Sequence, residues 1–233
     1  MRLDLRSIRA LALVAWAGVF AWLWATGESV RYLGPRTQWV VPVGAIGLTF
    51  AAVGYLYATR AESFSRIGLR EGLGLVGLVL PVMAAAVLAN AQLGALAASN
   101  KLSSRGIDSS ALARLASRDA KHIGFLQLNA AGRDEGLTRE LGLGEGKSVE
   151  LTGFVSSTGR LFTLSRFYIT CCVADAVPIG VRVSAGPRGA KLEKDDWIDV
   201  TGALARGHRE WIVRALRIEH VKPPSDPYLS FAG

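Results

Sequence analysis

Ser148-Val-Glu-Leu-Thr-Gly-Phe-Val155 and Trp197-Ile-Asp-Val-Thr-Gly-Ala-Leu204 repeat one pattern. In each, apolar and polar residues alternate up to a glycine, the period of a strand with one buried face. The glycine then removes a side chain where a strand must bend sharply. Further runs with strand-like composition fill the region: Arg160 to Cys171, Pro178 to Ser184 and Trp211 to Val221. Five short strands with such glycines predict a small closed barrel, five-stranded and OB-like, over residues 145–222. Residues 223–233 then form a Pro-containing tail. Residues 99–144 form a linker with short helices: Asp108 or Ser109 caps one that places Leu112, Leu115 and Ala116 on one face, Gly132 to Gly136 is a loop, and Leu137 to Leu141 makes another turn.

Residues 1–98 have a different composition. Apolar runs near 8–26, 39–59 and 72–96 approach the roughly 20 residues that a helix needs to cross a bilayer, which predicts an α-helical membrane part with three transmembrane helices. Trp16, Trp22 and Trp24, with no small-x-small cleavage site, mark the first run as an uncleaved anchor rather than a secretory signal. Tryptophans and tyrosines near the ends of the first two runs, among them Trp39, Tyr55 and Tyr57, suit the interface with a lipid bilayer. Arg60, Arg66 and Arg70 outnumber Arg31 and Arg36 in the preceding loop, so the positive-inside bias places the amino terminus in the cytoplasm and, after three crossings, the carboxy-terminal domain outside the cell membrane.

In the second run, Gly44, Gly47, Ala51, Gly54 and Ala58 recur at spacings of three and four, a stripe of small residues that lets another helix approach closely in lipid. The third run carries Pro81, which predicts a kink. The interiors of the runs hold no ionisable side chain, which argues against an ion path through this chain alone. The net charge of +8 divides evenly at residue 98, with no dense Lys/Arg cluster of the kind that tracks phosphates, so nucleic acid is not an expected partner.

Both cysteines fall in Arg166-Phe-Tyr-Ile-Thr-Cys-Cys-Val-Ala-Asp175. Phe162 and Leu164 are apolar at even positions, Phe167, Ile169 and Cys171 at odd ones, so a bulge near Ser165-Arg166 is expected to restore the faces and to aim Arg166. If the chain turns at Asp175 and Pro178, two thiolates and a carboxylate (Cys171, Cys172, Asp175) could hold a divalent metal, with His208 or His220 as further ligands. Two other readings stay open. Cys171 can be a small buried hydrophobe with Asp175 capping a turn, or the pair can form a strained, redox-active disulfide. No Gly-rich phosphate loop, Ser/His/Asp order or paired acidic motif is present, so an enzyme is not expected. An OB-type binder of oligosaccharide or peptide would need Tyr168, Trp197 and Trp211 on one barrel face.

Several strings together resemble the YcgQ-like family of bacterial membrane proteins, described as permease subunits. They are Thr-Gly-Glu-Ser-Val-Arg-Tyr-Leu-Gly-Pro-Arg at 26–36, Leu-Pro-Val-Met at 80–83, Ser-Ser-Arg-Gly at 103–106, Gly-Lys-Ser-Val-Glu-Leu-Thr-Gly-Phe-Val at 146–155 and Ser-Arg-Phe-Tyr-Ile-Thr-Cys-Cys-Val-Ala-Asp-Ala at 165–176. The most specific is Arg-x-x-x-Thr-Cys-Cys-x-Ala-Asp-Ala, in which Arg166 and Thr170 are motif positions and Pro178 follows. The resemblance implies an integral membrane protein working beside a larger multi-helix permease subunit, with a carboxy-terminal domain of unassigned activity. Family members often carry histidine between the second and third helices, whereas Ala58 to Glu71 here has none.

Overall fold

A computed structural model describes residues 5–60, 74, 77, 80, 93–104, 109–118 and 122–229. The chain divides into two units, the first ending at Gln92 and the second running from Leu93. This boundary precedes the expected one. Across the expected one the chain is helical over Ala95–Ser104, a helix whose first turn is held by Asp195: its carboxylate accepts the Ala95 N–H.

In the first unit, α1 (Leu5–Ala25) and α2 (Val40–Ala58) are each long and apolar enough to cross a membrane. Leu11, Phe50 and Val53 are all more than half exposed, an apolar surface that water penalises and lipid does not. Thr49 and Thr59 donate their hydroxyls to the carbonyls of Ala45 and Tyr55 one turn back, so neither leaves a polar group bare. The two helices pack on each other, with the Phe20 ring seated at Gly44, where a Cβ would lie 2.9 Å from it. The predicted third helix lies outside the described residues except Gly74, Gly77 and Leu80, which are helical.

The second unit contains α3 (Ala95–Ser104), α4 (Ser109–Arg118), α5 (Phe125–Ala131), α6 (Glu135–Glu140) and six strands: β1 (Ser148–Ser157), β2 (Leu161–Tyr168), β3 (Val177–Ser184), β4 (Trp197–Arg206), β5 (Trp211–His220) and β6 (Tyr228–Leu229). Strand order β1-β4-β5-β3-β2 with β1 paired again to β2 closes a five-stranded barrel, antiparallel except for β3 with β5. This is the OB-like arrangement that the sequence predicts, and closure removes the open edges of the five strands. The two echoed octets pair with each other in β1 and β4, Gly153 opposite Ile198 and Val149 opposite Gly202. Both glycines mark close approaches. A Cβ at Gly202 would lie 2.4 Å from the Arg214 carbonyl oxygen, and one at Gly153 would lie 2.8 Å from that of Ser165.

Two of the short helices before the barrel pack into its core. Leu112 and Ala116 of α4 and Phe125, Leu128 and Ala131 of α5 join the barrel core around Phe162, Leu164, Ile198 and Val200. Asp134 accepts the Leu137 N–H at 3.0 Å and caps α6.

The predicted bulge in β2 is absent. That strand pairs with β3 without a break from Leu161 to Tyr168; the extra residue is Ser156, on β1, and a second shift lets Leu216 of β5 loop out opposite Thr201 and Gly202. The parity change in β2 has another cause. Phe162 and Leu164 face the barrel interior, while Ser165, Phe167 and Ile169 are buried on the opposite side. There Phe154, Phe167, Ile169, Ala176 and Tyr228 form a second small core under Ala98 of α3, with the Phe154 and Phe167 rings stacked at 5.4 Å. Ser165 tolerates this burial because its hydroxyl lies 2.7 Å from that of Ser156, the bulged residue.

Candidate functional site: the cysteine turn and its surroundings

β2 stops at Tyr168, short of the predicted Cys171, so Thr170, Cys171 and Cys172 belong to a turn. The turn is closed by Asp175, the last residue of a single 3-10 turn at Val173–Asp175. Its two carboxylate oxygens accept the backbone N–H groups of Thr170 at 3.2 Å and of Cys171 at 2.8 Å. Pro178, expected to help turn the chain, is instead buried in β3 opposite Phe167. A proline is tolerated there because β3 pairs with β5 only over Arg182–Ser184.

The two cysteines are not joined in a disulfide, and their Sγ atoms lie 3.6 Å apart. Because the chain has left the strand, the alternation that would send them to opposite faces no longer applies. Cys171 is exposed rather than buried, so it is not the small core hydrophobe of one sequence reading. Its hydrogen bond to Asp175, reinforced by Cys172, pushes the thiol pKa up to about 11, the reverse of an activated nucleophile. Burial alone would raise the Asp175 pKa, but the N–H groups of Cys171, Thr170 and Cys172 and the Cys171 thiol outweigh it and hold the carboxyl below its ordinary value. Among the described residues no group of three His, Cys, Asp or Glu side chains is arranged to hold a metal ion. His208 lies in the β4–β5 turn and His220 ends β5 opposite Ile198.

Arg166 has the role that sequence reasoning left unassigned. Its Nη2 donates to the carbonyl oxygens of Asp226 at 2.6 Å and Tyr228 at 3.3 Å, and its Nε donates to that of Pro227 at 3.3 Å. Burial lowers its pKa, against the pull of Asp226. These bonds hold the expected tail against the barrel as β6, parallel to the end of β2, and the Ile169 N–H donates to Leu229 O at 3.3 Å. No short sequence signal marks β6, because two paired residues are too few to show a period.

The three aromatic residues of the oligosaccharide reading do not form an open platform. Trp211 is buried, Trp197 packs beside Phe154 with ring centroids 5.9 Å apart, and Tyr168 leans on the barrel core. The small-residue stripe of α2 is split. Gly44 meets Phe20, whereas Gly47, Ala51, Gly54 and Ala58 are exposed, and nothing lies within 4 Å of a Cβ built on Gly47 or Gly54.

Residues 135–230, from the start of α6 through β6, match the family model of the DUF1980 C-terminal domain. The cysteine turn, Arg166 and the clamped tail all lie inside that match. No curated protein matches the chain. Among solved structures, the chain is similar to a small single-stranded DNA-binding protein from Streptomyces coelicolor, 14% identical, over 34% of this chain and 95% of that one, with a TM-score of 0.25.

Proposed function

We propose that the protein is a non-enzymatic accessory subunit of a multi-helix membrane permease. In this reading α1, α2 and a third crossing within 72–96 hold it in the cell membrane, with the amino terminus cytoplasmic and the OB-like domain outside, where it positions or gates a metal ion or small solute. The observation that carries the reading is the face of α2. The helix meets Phe20 of α1 at Gly44, while Gly47, Ala51, Gly54 and Ala58 are exposed among the described residues. In lipid, where apolar burial alone gives no drive for association, such a face gains by close backbone packing with another helix. The test is co-purification from native membranes. Gly47→Leu with Gly54→Leu is expected to release a multi-helix partner, and unchanged co-purification would refute the docking. Cross-linking from Gly47→Cys, in a chain with Cys171 and Cys172 replaced by serine, then distinguishes a partner's helix from the third segment of this chain by the mass of the product.

A second reading, a thiol or metal protein acting through Cys171, Cys172 and Asp175, is favoured by the 3.6 Å between the Sγ atoms. Two thiolates bound tetrahedrally to one zinc ion at about 2.3 Å each would stand at a similar separation. Both would have to release their protons, and Asp175 would have to leave its backbone donors. Metal content and thiol count of the full chain, purified without chelator or reductant, separate the readings. Stoichiometric metal that disappears in Cys172→Ser, with the fold intact, supports the second; no metal and two slowly reacting thiols remove it.

A further inference from the structure

A groove of about 920 Å³ opens between α5, β3 and the β4–β5 turn, away from the cysteine turn and the Arg166 clamp. It is basic in a way that the sequence conceals. Arg133 follows α5, Arg182 lies in β3, Arg206 ends β4, and His208 and Arg209 form the next turn, so cations spread over more than seventy positions line one cavity. Two carboxylates also line it: Glu210 lies 3.4 Å from Arg182, and Glu135 sits at the start of α6. Among the described residues no ion pair engages Arg133, Arg206 or Arg209.

The walls are fixed rather than loose. Asn129 donates to the Gly180 carbonyl at 2.9 Å and ties α5 to β3. Gly132 lets the β4–β5 turn approach so closely that a Cβ there would lie 2.8 Å from the Glu210 Cα. Trp211, 5% exposed, lies beneath the Arg206 guanidinium, 5.0 Å from its ring centroid. Its buried indole N–H has no acceptor among the described residues, a cost that natural cores usually avoid.

We propose that this groove binds a small solute or headgroup carrying two or more phosphate-like oxyanions. Guanidinium groups converging from three elements suit such oxygens, which they hold by paired, charge-assisted hydrogen bonds. The volume falls within the range of small-molecule clefts. An oxyanion held by Arg206 would sit against the guanidinium that covers the Trp211 ring, so its arrival should be felt at the indole.

Inorganic pyrophosphate is the probe, titrated calorimetrically into the full chain in neutral detergent at physiological salt, with the Trp211 indole N–H resonance, assigned by Trp211→Phe, as a second readout. Saturable binding that shifts this resonance, weakens at least about tenfold in Arg133→Ala with Arg209→Ala and is unchanged in Arg217→Ala, outside the groove, is the expected result. In nanodiscs, affinity lost with phosphatidylglycerol but kept with phosphatidylcholine assigns the oxyanion to a lipid headgroup; equal affinity assigns it to a free solute. Absence of saturable binding at millimolar pyrophosphate, or binding indifferent to the arginine pair while the variant melts like the parent, overturns the proposal.

Discussion

Replacing Arg166 with alanine should free the carboxy-terminal strand without unfolding the barrel. The guanidinium makes one short bond, to Asp226 O at 2.6 Å, and two long ones at 3.3 Å, to Pro227 O and Tyr228 O. A hydrogen bond from a charged group contributes about 1.5–3 kcal/mol net, and the long ones fall below that range. The buried guanidinium also carries a desolvation cost, visible in its lowered pKa, which its removal recovers. The balance is about 2 kcal/mol, or roughly a 30-fold rise in the open fraction of β6. Hydrogen exchange measures that fraction directly. The Ile169 amide, which donates to Leu229 O, should exchange about 30-fold faster, while amides of the β4–β5 ladder, such as those of Val200 and Val213, keep their protection. Unchanged exchange at Ile169 would refute the clamp. Equal acceleration in β4 and β5 would show that Arg166 supports the barrel and not the tail.

Asp175→Asn should loosen the turn and destabilise the domain by about 1 kcal/mol at neutral pH, read by thermal unfolding. Folding lowers the Asp175 pKa, so its contribution is complete above the unfolded value of about 3.9 and is lost as pH falls through the folded one; the gap between parent and variant should narrow as pH falls below the unfolded value and stay constant above neutrality. With its pKa at about 11, Cys171 is thiolate in only about one molecule per thousand at pH 8, so iodoacetamide should modify it slowly and Asp175→Asn should speed the reaction, as site-resolved mass spectrometry would report. Gly202→Ala should cost more than about 2 kcal/mol or prevent folding, since the added carbon meets backbone that cannot yield, whereas Gly47→Leu should leave the barrel's unfolding unchanged.

The barrel was legible because β1 and β4 carry their burial on one face and therefore alternate in sequence. The helix Phe125–Ala131 was not, since five of its seven residues are buried apolar ones and leave no polar face to set a period. The basic groove was hidden for a different reason. Arg133, Arg182 and Arg209 lie far apart in sequence, and only the closing of α5 onto the β4–β5 turn brings them together. In the small-residue stripe Gly44 meets Phe20 of α1 while the other four positions are exposed, since a three-and-four spacing places residues on one side of a helix without saying which neighbour covers each of them.

β2 explains both the misplaced bulge and the cysteine motif. A strand buried on two sides does not alternate, and the shift from even to odd apolar positions marks where the second side becomes covered. That outer apolar patch of Phe154, Phe167 and Ile169 has to be sealed, and three residues of the motif string contribute to the seal. Arg166 draws β6 in so that Tyr228 covers one part; Ala176 fills another; Asp175 ties Thr170 and Cys171 back so that the chain can leave Ile169 buried and return as β3. The string Arg-x-x-x-Thr-Cys-Cys-x-Ala-Asp-Ala thus has a structural cause at Arg166, Asp175 and Ala176, and the two thiols are the positions in it with reactive side chains and no part in the seal. If the string serves chemistry as well as architecture, that chemistry rests on the pair of Sγ atoms. Serine at both positions is the substitution that separates the two roles, because it preserves every backbone bond to Asp175.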